Sequence, residues 1–332
     1  PALRRAIATS TAVRETLQAT YFDTEDRALA QRGVALRIRR EGRRWVQTAK
    51  AAGADSMTRL EHEVDLGVRR PSADALPDLA LHVAHPELHA ALQASVLQAK
   101  GPLRPLYRTS IERTRRVVRV AGGRVELALD EGEIEAGAAS IPVCEIEFEL
   151  LSGSAVALLT LARVWARRHH LWLDPRSKAE RGDHLARGAP VVPAARVAAL
   201  RLDPGQTPRK AMTLGLQGTL AAWLANAAQI ADAGSQGGER SDSVHQLRVA
   251  LRRTRVLLSV FADALPEVSP QGAEDLEPPL EDAVAQAFRD LGRYRDQDVL
   301  NTLIGGPLHA GGYSLPPLAV TDDAGAGLSA SV

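Results

Sequence analysis

From about Thr20 to Leu150 the chain alternates charged and apolar residues with a period of two, in short runs broken by Gly, Pro and Asp. No other feature limits the fold as much. In "CEIEFEL", Cys144 to Leu150, Glu145, Glu147 and Glu149 fall on one strand face, with Ile146, Phe148 and Leu150 on the other. Arg37 and Arg39 share a face opposite Leu36 and Ile38, and Lys50 ends the next run. Arg59, Glu61, Glu63 and Asp65 stand opposite Leu60, His62, Val64 and Leu66. Arg113 pairs in parity with Arg115, and Glu126 with Asp130. Three carboxylates in a row on one strand repel one another, so something opposite must compensate them.

Two architectures satisfy this pattern. One is an antiparallel sheet, packed on one side and wet on the other, with cross-strand ion pairs. The other is a barrel whose lumen holds the charged faces and whose apolar outside is covered by helices. In the barrel, clustered Arg and Lys suit an anion with many oxygens, because guanidinium forks match phosphate. Carboxylates cannot bind that anion directly; they would hold a hard divalent cation that bridges to it.

Global charge does not choose a partner, since 41 Lys and Arg balance 40 Asp and Glu. The single cysteine, Cys144, excludes an intrachain disulfide and suits a reducing compartment. No apolar run approaches the ~18 residues of a membrane span. The expectation is therefore a cytoplasmic protein. The opening "PALRRAIATSTAVRETL" reads as the middle of something helical. "SAVALLTLARVWARRHH" reads as a helix with a basic last turn. The Pro- and Ala-rich stretch 191–208 reads as a linker. It divides a strand-rich region, 1–190, from a helical one, 209–332.

In "VHQLRVALRRTRVLLSVF", His245, Arg248, Arg252 and Arg255 fall on one helical face, and Leu247, Leu251, Leu258 and Phe261 on the other. A purely cationic polar face is either solvated surface or a polyanion-binding face. With aromatics at 4%, stacking platforms for nucleic acid are scarce, so nucleic acid is disfavoured.

"YFDTEDRALAQRGVALRIRR", "TAK", "RLEHEVDL", "VELALDEGEIEAG", "CEIEFELLSG" and "SKAERGDHL", in that order, resemble the CYTH superfamily of triphosphate tunnel metalloenzymes, in particular bacterial inorganic triphosphatases with a second, helical domain. The resemblance implies an α+β fold: an antiparallel eight-stranded β-barrel tunnel with flanking helices, followed by an all-α helical bundle. It implies that Arg37, Arg39, Lys50, Arg113 and Lys178 grip triphosphate. Asp130, Glu145 and Glu147 would ligate Mg²⁺ or Mn²⁺, and Glu61 or Glu63 would orient or deprotonate the attacking water. The family's first strand, Glu-x-Glu-x-Lys, has no counterpart before Thr20, so that strand is expected to lie outside this sequence. A degenerate tunnel that binds polyphosphate without cleaving it is the alternative. A thiamine-triphosphatase or adenylate cyclase activity is a third reading.

The basic helix, with "RDLGRYRDQDVL" downstream, resembles the CHAD domain, a helical module associated with polyphosphate. His245, Arg248, Arg252, Arg253 and Arg255 fall on its motif, with Arg289, Arg293 and Arg295 as weaker matches. The domain is expected to be incomplete at its C-terminal end.

Several residues invite other chemistry. His82, His85 and His89 suggest zinc, but Pro86 interrupts them, and they are expected at the surface. Cys144 shares the apolar parity of its strand, which suggests a buried, inert thiol. His169 and His170 close a helix, where the dipole suffices to explain them. Trp165 and Trp172 are expected to be packing anchors.

Overall fold

A computed structural model describes residues 2–53, 59–68, 71, 75–189, 192–236, 241–262 and 280–300; the side chains of 233–236, 280 and 293–300 lie outside that description. The chain divides into two compact units, Pro1–His169 with Arg176–Val192, and His170–Pro175 with Pro193–Val332.

The first unit is one antiparallel sheet of β1 (Val13–Asp23), β2 (Val34–Glu41), β3 (Arg44–Ala52), β4 (Arg59–Gly67), β5 (Arg104–Val120), β6 (Gly123–Ala136) and β7 (Ala139–Gly153). Their order is β4-β3-β2-β1-β5-β6-β7. Four helices flank it: α1 (Ala2–Ile7), α2 (Pro86–Leu97), α3 (Ala155–His169) and α4 (Lys178–Ala186). The apolar parity of the strands lies under helices. Leu36, Ala49 and Ala51 pack with Leu88 and Leu92 of α2. Val125, Leu127 and Leu129 pack with Ile146, Phe148, Leu150, Ile7 of α1 and Leu161 and Trp165 of α3. Burying each of the Leu, Val, Ile and Phe side chains contributes about 1.5–3 kcal/mol, so these layers fix the register that puts the charged parity on the other face.

The antiparallel sheet, its flanking helices and the helical region after it are those expected. The strand count is the expected eight less the first strand, and the closure differs. Among the described residues there are seven strands, and the edges β4 and β7 do not pair, so the barrel is not closed. Residues 13–17, read from sequence as helical, open β1, a central strand between β2 and β5. Val13, Thr16, Thr20, Tyr21 and Phe22 are β-branched or aromatic, and pairing on both sides overrides any helical tendency of the stretch.

His82 corrects the expectation of surface histidines, because it is completely buried. Gln47 explains how. Its amide oxygen accepts from Asp78 N at 3.0 Å, and its Nε2 donates to Asp78 O at 2.7 Å and to His82 Nε2 at 3.0 Å. His82 Nε2 is thereby the acceptor, and the network assigns the proton to Nδ1, which donates to His62 Nδ1 at 2.9 Å. Burial, and then the neighbouring His62 and His89, push the His82 imidazole down to about 4 against a weaker opposing pull from Asp78. A folded value below the unfolded one means that this stability is full above about pH 6.5 and lost as pH falls towards 4, up to about 3 kcal/mol for a displacement of this size. Protection of β3, β4 and α2 amides from hydrogen exchange, corrected for intrinsic rates, should drop between pH 7 and pH 5. The drop should vanish in His82→Leu; an equal drop in the variant would refute the assignment.

The second unit contains α5 (Pro208–Gln236), α6 (Ser241–Val260) and α7 (Leu280–Leu300). Val244, Leu247 and Leu251 of α6 meet Ala227 and Ile230 of α5 and Val284, Ala287 and Leu291 of α7. Part of the stretch read as a linker is held against these helices. Asn226, fully buried, accepts from Ala195 N at 3.0 Å and donates to Ala195 O at 2.8 Å, and Arg253 donates to Val197 O at 3.3 Å. Among the described residues, no helix is long and apolar enough to cross a membrane.

Candidate active site

The charged parity converges through strand register. Arg113 on β5 lies beside Asp130 on β6, which lies beside Glu145 on β7; Lys50 on β3 lies beside Glu61 on β4. Arg37 on β2 and Tyr107 on β5 flank Tyr21 on β1.

Lys178 arrives from α4, which a capping box starts at the right place. Ser177 Oγ accepts from Glu180 N, while Glu180 Oε2 accepts from Ser177 N at 2.7 Å. Tyr107 then docks the helix. Its hydroxyl donates to Ala179 O at 2.9 Å, and its ring lies so close to Gly182 that a Cβ there would come within 2.3 Å. Asp183 adds a nearly buried ion pair to Arg27, whose backbone is left-handed at φ 60°. α4 packs on β5, β6 and β7, and its Glu180 lies 3.9 Å from Arg59 of β4, so it reaches both halves of the sheet.

Asp130, Glu145 and Glu147 each offer an oxygen within 4.8 Å of the others. Asp130 has no exposed surface. Arg113 donates to both of its oxygens, at 2.6 and 2.7 Å, and to Glu147 at 2.7 Å. Lys178 Nζ lies 2.6 Å from Asp130, 2.5 Å from Glu145 and 2.8 Å from Glu147. Arg181, also from α4, pairs with Glu145. Burial opposes ionisation of Glu147, but Lys178 and Arg113 outweigh it and hold that carboxyl at about 2. Burial would likewise lower the Lys178 ammonium; Glu147, Glu145 and Asp130 instead raise it.

The other group is gathered around Glu63 and Glu61. Glu63 Oε1 lies 3.2 Å from Arg39, 3.9 Å from Arg37 and 3.3 Å from Thr48 Oγ1. Arg39 also pairs with Glu41, and Lys50 lies 2.7 Å from Glu61. Tyr21 joins the two groups. Its buried hydroxyl accepts from Arg37 at 3.1 Å. Burial opposes its ionisation, but Arg37, Lys178 and Lys50 together lower it below the ordinary tyrosine range. Lys50 is felt by Glu147 as well, so cations of β2 and β3 and carboxylates of β6 and β7 share one field.

Arg37, Arg39 and Arg181 each keep a buried Nε–H with no hydrogen-bond partner among the described residues. A buried donor left unmade costs about 1–3 kcal/mol, more on a charged group, so three on one surface mark a place for an acceptor-rich guest. The donors suit an anion with many oxygens, and the carboxylate trio offers the oxygen ligands that a hard divalent cation takes.

Sequence reading missed Tyr21 and Arg181. Arg181 had a signal, standing three residues after Lys178 on the same helical face. Tyr21 lay in the strand-rich region but bears no formal charge, so the charge alternation did not single it out. Cys144 is exposed rather than buried, although it keeps the expected parity. Burial of the thiol, partial as it is, and then Glu131 push the Cys144 thiol up, disfavouring the thiolate. Trp165 packs against Phe148 at a ring distance of 6.2 Å, as expected, whereas Trp172 is 40% exposed.

On α6 the basic residues separate. His245, Arg252, Arg253 and Arg255 are exposed. Arg248 lies over the Phe288 ring, 4.4 Å from its centroid, and donates to Phe288 O at 3.0 Å. Gly292 makes room for it, since a Cβ there would meet the guanidinium at 2.7 Å. Arg253 serves Val197 as described. The purely cationic face is thus smaller than the helical wheel implies, because one of its arginines, Arg248, holds neighbouring backbone. Arg289 pairs with Gln286, and the side chains of Arg293 and Arg295 lie outside the described residues.

Comparison with known proteins identifies the CYTH domain over residues 3–182 and the CHAD domain over residues 215–330. An inorganic triphosphatase of Haemophilus influenzae is 31% identical over 166 residues, 49% of this chain and 44% of that protein. The chain therefore matches less than half the length of this relative. Among solved structures, an adenylyl cyclase candidate from Hippeastrum, described as having a dominant triphosphatase activity, is 19% identical over 57% of this chain and 90% of its own, with a TM-score of 0.39. A protein of Pyrococcus horikoshii is 21% identical over 50% of this chain and 82% of its own, at a TM-score of 0.31.

Proposed function

The chain belongs to the CYTH domain family, and from that premise we propose that it hydrolyses inorganic triphosphate or short polyphosphate with Mg²⁺ or Mn²⁺, and that its helical unit binds longer polyphosphate. One observation carries the reading: five cations and three close carboxylates, on separate strands and α4, converge on one sheet face. The triphosphatase from Haemophilus influenzae supports the reaction type.

In this reading Arg37, Arg39, Lys50, Arg113 and Lys178 bind phosphate oxygens, and the unpartnered Nε–H groups of Arg37 and Arg39 find acceptors. Asp130, Glu145 and Glu147 would hold the divalent cation, which when bound supplies neutralisation of the developing phosphoryl charge. Glu61 or Glu63 orients water and takes its proton. A new O–P bond forms at the terminal phosphorus as the bridging P–O bond breaks, its electron pair leaving on diphosphate. On α6, the exposed His245, Arg252, Arg253 and Arg255 are the polyphosphate contacts; Arg248 positions the surrounding backbone.

Purified protein incubated with tripolyphosphate and Mn²⁺ or Mg²⁺ should release orthophosphate, and removing the metal by chelation should stop release. Polyphosphate binding without phosphate release would favour the non-catalytic reading instead. Conversion of ATP to cyclic AMP in place of tripolyphosphate hydrolysis would favour the cyclase reading.

A further inference from the structure

Lys178 occupies the place that a divalent cation would take. Its ammonium touches Asp130, Glu145 and Glu147 at 2.6, 2.5 and 2.8 Å, and an ammonium has three protons to give. Arg113 covers both Asp130 oxygens and the second oxygen of Glu147. Arg181 covers the second oxygen of Glu145. All six carboxylate oxygens therefore already have a cationic partner. Three carboxylates face three cations, so the cluster is neutral as it stands. It lacks the excess negative charge that draws a divalent ion out of water, unless one of its own cations leaves.

Of the three cations, Lys178 is suited to leave. Arg113 makes a bidentate grip on a fully buried carboxylate, while Lys178 carries a point charge on a flexible four-carbon stem. Lys178 also has somewhere to go. Its charge is felt at Tyr21, the residue that Arg37 contacts, so it is near the second cationic group.

We propose that Lys178 is a tethered counter-ion that exchanges between two partners, resting on the metal-ligand carboxylates without substrate and moving to phosphate oxygens with it. This rests on the triphosphatase reading and deepens it. Its consequence is positive coupling: an anion that draws Lys178 away frees the carboxylates for metal, and metal at the carboxylates frees Lys178 for the anion. By linkage, each raises the affinity of the other by the same factor.

The discriminating variant is Lys178→Met, which keeps the apolar stem and removes the charge. Mn²⁺ binding to the full chain without phosphate, followed by electron paramagnetic resonance of free Mn²⁺, should tighten at least about tenfold over the unaltered protein. Tripolyphosphate binding measured calorimetrically in chelator should weaken in the same variant. Adding Asp130→Asn to Lys178→Met should abolish the Mn²⁺ gain, which places that gain at this cluster. Mn²⁺ affinity unchanged or weakened in Lys178→Met would overturn the proposal.

If the variant does not fold, the unaltered protein still decides. Acylation of the Lys178 amine, read by mass spectrometry, should accelerate when Mn²⁺ alone is added and slow when tripolyphosphate alone is added. Acylation indifferent to Mn²⁺ would overturn the exchange. The two readings fail separately. An active triphosphatase with no gain in Lys178→Met loses the exchange and keeps the function. A chain that shows the gain but releases no phosphate keeps the exchange and loses the function.

Discussion

Asp130→Asn is expected to reduce tripolyphosphate hydrolysis about 10²–10³-fold, the loss that follows from removing several kcal/mol of transition-state charge neutralisation. Asp130 is the fully buried member of the carboxylate trio, and it is held on both oxygens by Arg113 and on one by Lys178. The same change turns a neutral, partly buried cluster into one with an excess positive charge. Breaking a buried pair of this kind costs about 3–5 kcal/mol. Here Glu145 and Glu147 still face Lys178 and Arg113, which places the cost at the low end. The sheet unit should therefore melt earlier but still fold. The check is steady-state phosphate release at saturating Mn²⁺, together with a urea titration of the same preparation. A variant that folds and retains full hydrolysis would remove Asp130 from the metal site.

Arg37→Gln combined with Arg39→Gln is expected to weaken tripolyphosphate binding about 10²–10⁴-fold. Each guanidinium contributes charge-assisted hydrogen bonds worth about 1.5–3 kcal/mol, and each side chain is only 12–14% exposed, so solvent screens little of the loss. Glutamine keeps a donor and most of the stem, which separates charge from packing. Glu63 would lose its cationic partners at the same time, and Arg37 would no longer hold the Tyr21 hydroxyl. The measurement is calorimetric titration with tripolyphosphate, paired with an Mn²⁺ titration without phosphate. Anion affinity should collapse while Mn²⁺ affinity stays nearly constant, because neither arginine touches Asp130, Glu145 or Glu147 in any contact described. Unchanged anion affinity would mean that the β2 guanidinium groups serve the sheet and not a ligand.

Much of the site was legible because period-two alternation is a local property. A strand covered on one side must show it, and the parity of Arg37, Glu61, Asp130 and Glu147 follows without any knowledge of the fold. The family resemblance added roles to residues already singled out. The failures share a cause as well. The run from Val13 to Leu17 was misread because its partners, β2 and β5, lie outside any local window. His82 was placed at the surface because nothing nearby in sequence reveals Gln47, 35 residues away, satisfying its ring. On α6, the wheel assigned Arg248 to an open basic face, because Phe288 is distant in sequence.

By itself, the sequence determined which residues face which side of each strand, and that cations and carboxylates would be numerous on the same side. That much is dictated by the pleat and by the burial of Leu, Ile and Val beneath helices. Only the tertiary structure decided that those charges satisfy one another. The pairing of Lys178 with three carboxylates depends on α4 being docked by Tyr107, Gly182 and Arg27, and a helix position fixed by contacts 72 to 156 residues apart in the chain has no local signature.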